Sequence, residues 1–465
     1  MKKTWLGLLC VLALLATACG SRLDDDELGS ADNGTGRQSD APADDEGRAG
    51  IVEGEGDDGP VFGNGLPVPC GERPEDLTGE VPSDTPGVTA DTIRIGVISD
   101  KASIVSVPTA SIEESVMAFV HFCNDLGGIN GRKLELETYD AKLFEGLTAV
   151  QAACDDGLFA LVGSGAVQDD LGAQAMVDCG LVEVPAYAAT AKKALSDNVV
   201  MPLPNPTDSI NVGPARWFVD NHPEAVKKAA MITSPDVETA YRQSKRLIEA
   251  YEAEGFEFTY VRDTSIIQEN YSAEAQEMKR AGVEYVTMVS TVSEVTKLLR
   301  DMKAQGFEPE LVHLGQQYYD AELLTEPAAE GALVELNTAA FEEEDDNVAL
   351  QGYLTAYDEV DTNIPPSSLG VQAFSAGLLF ATATEALGDD LTRDGLLEEL
   401  ESITSWDGGG LHFEANPGGN EVSTCFMFSS VVDGAFSRLH PEEGYDCDPD
   451  YALELQGDYG SGATR

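Results

Sequence analysis

Three consecutive stretches decide the fold class. They are Ile93-Arg94-Ile95-Gly96-Val97-Ile98, the apolar set Ile112, Val116, Phe119, Val120 and Cys123, and Asn124-Asp125-Leu126-Gly127-Gly128-Ile129-Asn130-Gly131-Arg132-Lys133-Leu134-Glu135-Leu136. The first is a β-branched run that enters a loop and reads as a strand. The second places its apolar residues on one helical face. Gly127-Gly128 stops that helix. Residues 134–139 then alternate as a second strand. A strand, a helix and a second strand in this order predict an α/β fold with a parallel sheet.

The pattern continues outward. A helix is expected over residues 149–154, with strands over 159–162 and 182–184, the last ending at Pro185. A second run of strands falls at 229–233, 256–261, 285–289 and 311–314. Helices lie between them at 241–254, 272–281 and 293–304, where Val295, Leu298, Leu299 and Met302 form a packing stripe. Residues 371–387 are apolar nearly all round and read as a buried helix, with another at 391–400. Residues 411–439 read as a late β-hairpin, with Gly418-Gly419 and Asp433-Gly434 as turns. The two runs are expected to form analogous lobes.

The front of the chain sets the compartment. Lys2 and Lys3, an apolar run over 5–16, and the small residues Ala16-Thr17-Ala18 before Cys19 have the layout of a signal peptide spanning 1–18. The run is too short for a permanent span. The segment Leu14-Leu15-Ala16-Thr17-Ala18-Cys19 also resembles a bacterial lipobox, which implies acylation of Cys19; ordinary cleavage beside a chance cysteine is the alternative. Residues 19–66 are rich in Gly, Ser, Asp, Glu and Pro, with no aromatic residue before Phe62. They are expected to be a disordered acidic tether, having too little apolar surface to offset chain entropy.

The balance of 28 basic and 83 acidic residues gives a net charge of −55. That excludes nucleic acid as a partner, because phosphate binding needs clustered Lys and Arg. It also argues against direct contact with an anionic membrane surface. Of eight cysteines, Cys10 lies in the signal and Cys19 is the lipid candidate. Cys70, Cys123, Cys154, Cys179, Cys425 and Cys447 remain, an even number that reads as disulfides in an exported chain. Their connectivity is open at this point.

Catalytic patterns are missing. Ser164 sits between Gly163 and Gly165, but Val162 occupies the first Gly position of a nucleophile elbow, and Gln168 stands where a dinucleotide fingerprint needs its third Gly. No Walker A loop or HExxH is present; His121, His222, His313, His412 and His440 are scattered. The run Glu342-Glu343-Glu344-Asp345-Asp346 lacks the alternation of a calcium loop and reads as a solvated surface. No catalytic residue, cofactor or metal is expected, and a hydrolase is disfavoured.

The segment Gly87-Val88-Thr89-Ala90-Asp91-Thr92-Ile93-Arg94-Ile95-Gly96, the turn at 124–136, Ala329-Glu330-Gly331-Ala332 and the 371–387 helix together resemble the type I periplasmic binding proteins for branched-chain amino acids. The likeness spans roughly residues 87–441. It implies two doubly wound α/β lobes with parallel sheets, joined by three crossovers, with solute held between them. The implied division is an N-terminal extension at 67–90, lobe 1 at 91–206 and again at 336–410, lobe 2 at 207–335 with a C-terminal hairpin at 411–447, and a tail at 448–465. In that fold the helices after the second and third strands share a sheet face, which favours Cys154 with Cys179. Cys425 with Cys447 is local, leaving Cys70 with Cys123.

Carried over position by position, the loop after the third strand offers Ser164, Gly165, Ala166 and Gln168 to a ligand carboxylate, and the loop after the fourth offers Tyr187, Ala189 and Thr190. Glu294 matches the family's amine-binding acid, and equally reads as a carboxylate stabilising a helix start. Gln317 and Tyr318 complete the expected lining. The family's usual hydroxyl set and Tyr-Gly pair are missing, which weakens any assignment to leucine, isoleucine or valine. The resemblance implies a monomeric, lipid-anchored, extracytoplasmic solute-binding protein working with the permease of an ABC importer. A ligand-sensing module for a small amide or organic acid is the alternative; a sensor is expected to carry a membrane span or signalling domain, and neither is legible.

Overall fold

The computed structural model describes residues 48–54, 59–83, 85–102 and 109–460. The expected signal peptide, the acylated Cys19, most of the tether and residues 461–465 lie outside the described residues.

The deciding stretch folds as β4 (Thr92–Ser99), α1 (Ala110–Leu126) and β5 (Lys133–Asp140), preceded by three short strands, β1 (Ile51–Glu53), β2 (Pro60–Phe62) and β3 (Leu66–Pro67). The glycines of the turn each have a structural reason. Gly127 (φ 130°) and Gly128 (φ 93°) close α1 by donating to Asn124 O and Cys123 O. A Cβ on Gly128 would fall 2.2 Å from Arg132 O. Asn130 and Gly131 both take positive φ, and Ile129 and Arg132 exchange backbone hydrogen bonds across them, the arrangement such tight turns require. Next come α2 (Gly146–Asp155), β6 (Ala160–Val162), α3 (Asp170–Asp178), β7 (Val182–Val184) and α4 (Ala191–Ala194). The parallel sheet runs β5-β4-β6-β7. Its order reverses beside β4, so the loops after β4 and β6 flank a crevice at the strand C-termini.

The second lobe contains β8 (Ser209–Asn211), α5 (Gly213–Asn221), β9 (Ala229–Thr233), α6 (Glu238–Ala253), β10 (Phe258–Asp263), α7 (Ser272–Ala281), β11 (Tyr285–Met288), α8 (Val292–Ala304), β12 (Leu311–Leu314), α9 (Ala321–Leu324) and β13 (Leu333–Leu336). The chain then returns to the first lobe as α10 (Val348–Asp358), α11 (Ser368–Leu387) and α12 (Arg393–Ser402), which share a core with β4, β6 and β7. It crosses back for β14 (Cys425–Val432), β15 (Ala435–His440), β16 (Asp446–Cys447) and β17 (Ala452–Glu454). The second sheet runs β10-β9-β11-β12-β13-β14-β15, parallel through β13 and antiparallel beyond. The chain thus passes between lobes three times, as the fold class requires. Buried α11 shows the all-round apolar character its sequence predicts.

Three segments differ from the sequence reading. The tether was placed through residue 66, yet β1–β3 form a small antiparallel sheet and Phe62 is fully buried. Its ring lies 5.6 Å from that of Phe122 and 6.0 Å from that of Phe374. One aromatic side chain inserted into a core outweighs the acidic composition around it. The tail was placed from residue 448, but β17 pairs with β8, and Leu455 is buried. The late hairpin is β14–β15, turning at Asp433-Gly434; residues 411–424 serve as the third crossover instead.

The three cysteine pairs favoured on sequence stand at bonding distance. Cys70 and Cys123 join the N-terminal extension to α1, Cys154 and Cys179 join α2 to the end of α3, and Cys425 and Cys447 join β14 to β16. The Cα separations are 5.2, 6.1 and 4.1 Å.

Candidate functional site

A cavity of about 370 Å³ opens between the lobes at the strand C-termini. Lobe 1 contributes Val167, Tyr187, Ala188 and Ala189 from its loops, and Leu369 and Gln372 from α11. Lobe 2 contributes residues 287–291 from the end of β11 and the loop after it, and 315–317 after β12. Leu203, Pro204, Asn205, Asn337 and Phe413 close it at the crossovers. Gln372 Nε2 donates at 3.1 Å to Gln316 Oε1 and at 3.1 Å to Asn337 Oδ1, linking α11 to the second lobe across the cleft.

The cavity continues beneath α6. Val237, Ala240, Gln243, Leu247 and Tyr251 line it at helical intervals, facing Thr287, His313 and Glu335 on the sheet. In parallel pairing Thr287 stands opposite His313, and His313 opposite Leu333. Residues two apart share a face, so Glu335 joins that same surface. His313 Nδ1 is 2.6 Å from the Tyr285 hydroxyl, and His313 Nε2 is 3.3 Å from Glu335 Oε2 without hydrogen-bond alignment. Burial, with Tyr285 and Glu335 nearby, raises the Tyr251 phenol well above its usual pKa.

Of the residues singled out on sequence, Tyr187, Ala189 and Gln317 line this cavity. Ser164, Gly165 and Ala166 line a smaller adjoining one of about 20 Å³, with Asp169, Glu183 and Lys193. Ser164 Oγ accepts from Ile98 N–H at 3.1 Å. Gly165 donates to Ile98 O at 2.9 Å, and a Cβ there would meet Ile112 and Tyr187. Gln168 is buried just before α3, its carbonyl accepting from Leu171 N–H.

In the two loops expected to receive a ligand carboxylate, the Val167 and Ala189 N–H groups and the Thr190 hydroxyl already hold carboxyl groups of the protein. Asp100 accepts from Leu143 N–H at 2.6 Å and Val167 N–H at 2.7 Å. Asp169 accepts from Ala189 N–H at 2.7 Å and the Thr190 hydroxyl at 2.5 Å. Burial raises the Asp100 pKa and pushes that of Asp169 up to about 7 against these hydrogen bonds. Burial, then Asp100 and Asp169, raise the Tyr187 phenol in turn.

Glu294 and Tyr318 face the interior of lobe 2. Glu294 accepts from the Tyr271 hydroxyl at 2.7 Å and from Lys297 Nζ at 2.5 Å, and its N–H is capped by Thr291 Oγ1. Tyr318 Oη accepts from Ser290 N–H at 2.8 Å and lies 3.0 Å from the carbonyls of Met288 and Ser290. It shapes the cleft loop from behind. Gln243, Tyr251, His313, Glu335 and Gln372 were not singled out on sequence. The available signal was a polar residue set in apolar surroundings: Glu335 within Leu333-Val334-Glu335-Leu336, and Gln372 within α11.

Residues 92–435 match the family model described as periplasmic binding protein. No curated protein sequence matches the chain. Among solved structures, the fatty acid ABC transporter substrate-binding protein from Thermomonospora curvata aligns with a TM-score of 0.66 at 17% identity, covering 82% of this chain and 97% of that one. A branched-chain amino acid transporter substrate binding protein from Streptococcus pneumoniae, in complex with isoleucine, aligns at 0.63 and 15% identity, covering 76% and 100%. A solute binding protein from R. palustris in complex with benzoate aligns at 0.63 and 14%, covering 77% and 98%. At such identities these structures speak to the fold alone. With its two α/β lobes, three crossovers and a family match over most of its length, the chain belongs to the periplasmic binding protein family, in its type I form, a family that binds solutes rather than transforming them.

Proposed function

We propose that this protein is the extracytoplasmic capture component of an ABC importer, tethered by lipid at Cys19 and stabilised by three disulfides, and that its cavity closes on one solute with a substantial apolar body. One observation carries the reading: a single cavity of about 370 Å³ is lined by both lobes, a size typical of small-molecule sites. Contacts to both lobes exist only when the cleft is closed, so the solute supplies the differential affinity that holds it shut. Leu203, Val237, Leu247, Ile266 and Phe413 provide the apolar wall.

The test is calorimetry and thermal shift of the purified protein against branched-chain amino acids, aliphatic and aromatic acids, amides and amines. One-to-one binding is expected, with a stabilisation of about 2.7 kcal/mol at a hundredfold excess over Kd. Ala189→Trp, which fills the cleft, should abolish it. Binding unaffected by that substitution would place the solute elsewhere. Mass spectrometry of the membrane-extracted N-terminus checks acylation of Cys19; an unmodified cysteine in the mature protein overturns the anchor.

A further inference from the structure

We infer that the solute is an elongated amine, lying along α6 with its cationic group against Glu335, and that it carries no carboxylate at the lobe 1 end. This deepens the proposed solute site and rests on that reading of the cavity. Length comes first. The cavity follows α6 from Val237 to Tyr251, a distance of roughly 21 Å at about 1.5 Å per residue. That is a slot for an extended chain, with Val237, Leu247 and Ile266 as apolar wall.

Charge comes second. Among the described residues lining the cavity there is no Lys or Arg, and Glu335 is the one carboxylate. Residues 103–108, outside the described residues, contain no Lys or Arg either. The cations nearby in sequence are engaged elsewhere. Lys193 pairs with Glu183, and Lys101 pairs with Glu113 and Glu114. Arg246 of α6 donates to the carbonyls of Pro206 and Ser209 and to Gln243 Oε1. Glu335 sits on β13, between β12 and β14, and its side chain retains 30% exposure on a strand interior to the sheet; it is among the residues that line the cavity. A carboxylate is held there in reach of a ligand, with no Lys or Arg among the lining residues and only the His313 imidazole, Nε2 at 3.3 Å, beside it.

The third observation is that three backbone donors at this end are already taken. Asp100 and Asp169 fill the N–H groups of Leu143, Val167 and Ala189. A ligand carboxylate at this end would find no free donor from these three. Beside the slot, Thr239 Oγ1 and His313 Nε2 are buried and make no hydrogen bond within the protein, the latter lying 3.3 Å from Glu335 Oε2.

The experiment titrates the purified protein with n-octylamine, octanamide, octanoate and leucine by calorimetry, for wild type and Glu335→Gln. Octylamine should bind more tightly than octanoate and leucine. Glu335→Gln should weaken octylamine roughly thirtyfold to several thousandfold, the range for removing the partner of a desolvated charge, and leave octanamide within about threefold. Retained octanamide binding shows that the variant is folded and its cavity intact. Octanoate or leucine binding at least as tightly as octylamine overturns the assignment, as does an unchanged octylamine affinity in the variant. In either case the cavity still stands as the solute site. If no probe binds and the broader solute panel is also silent, the site reading itself falls.

Discussion

Replacing Arg132 with Met should destabilise the first lobe by about 3–5 kcal/mol. The guanidinium is fully buried, and its donors reach Thr89 O at 3.3 Å, Gly388 O at 3.2 Å, Glu80 O at 3.3 Å and Asp389 Oδ1 at 3.1 Å. One side chain therefore ties the N-terminal extension and the approach to β4 to the end of α11. Methionine fills much of the space but satisfies none of the four acceptors. Asp389 keeps Thr78 and Gly79 as donors, so it is not stranded. The three carbonyls are, at about 1–3 kcal/mol each when left unpaired. Glu80 and Thr89 are exposed, so water recovers part of that cost, which brings the estimate to the range for breaking a buried charge contact. Arg132→Lys keeps the charge but loses the planar fork and should cost about half as much. The assay is urea unfolding followed by circular dichroism and by fluorescence of Trp406, which packs in the lobe 1 core. A loss under about 1 kcal/mol for the methionine variant, or equal losses for both variants, would refute the reasoning.

Three further outcomes follow from the same structure. Phe62→Ala should cost about 3–5 kcal/mol, measured by the same unfolding curves; a value within error of zero would return residues 60–62 to the tether. Replacing Cys70 and Cys123 with Ser opens a link of sequence separation 53 and should cost roughly 4 kcal/mol by loop entropy, with unchanged stability under reductant as the contrary result. Asp169 should make folding pH-dependent. Its carboxyl is held up near 7 against an ordinary 3.8, so the folded state keeps a proton that the unfolded state releases, and stability falls as pH rises from about 4 to about 7. Asp169→Asn should flatten that slope, and identical slopes would show that Asp169 is not the group responsible.

Alternation and helical spacing are local signals, and they placed the strands and helices of both lobes because each element buries one face against its neighbours. The Gly-Gly-x-Asn-Gly-Arg turn was visible for the same reason, since its positive-φ positions are marked by Gly and Asn themselves, although Gly71 supplies hydrogen bonds to Gly128 and Gly131 from far along the chain. Arg132 itself was not, because its acceptors lie 43 to 257 residues away. Phe62 was lost inside an acidic, low-complexity stretch: its burial depends on Phe122 and Phe374, which no window around it contains. The site divides along the same line. Tyr187, Ala189 and Gln317 sit in loops at strand ends and could be named from position alone. Glu294 stands at a helix start, and position does not reveal that Tyr271 and Lys297 turn it inward. Glu335 required knowing which face of β13 meets the cavity, and that follows from the pairing of β12 with β13.

The backbone donors already taken in lobe 1 change where selectivity resides. In a two-lobed binder, the lobe that presents free donors engages the solute first and the other completes the contact. Here the donors of Leu143, Val167 and Ala189 are saturated by Asp100 and Asp169 before any solute arrives. Lobe 1 is thereby preorganised, and what it offers the solute is a surface: Tyr187, Leu369 and the amide of Gln372. The polar groups lining the cavity beneath α6, Gln243, Thr287, His313 and Glu335, all belong to α6 and to strands β11–β13 of lobe 2. On the proposed solute site, recognition is therefore concentrated in lobe 2, and lobe 1 acts as the cover. Its Gln372 amide, bonded to both Gln316 and Asn337, registers whether the two halves have met.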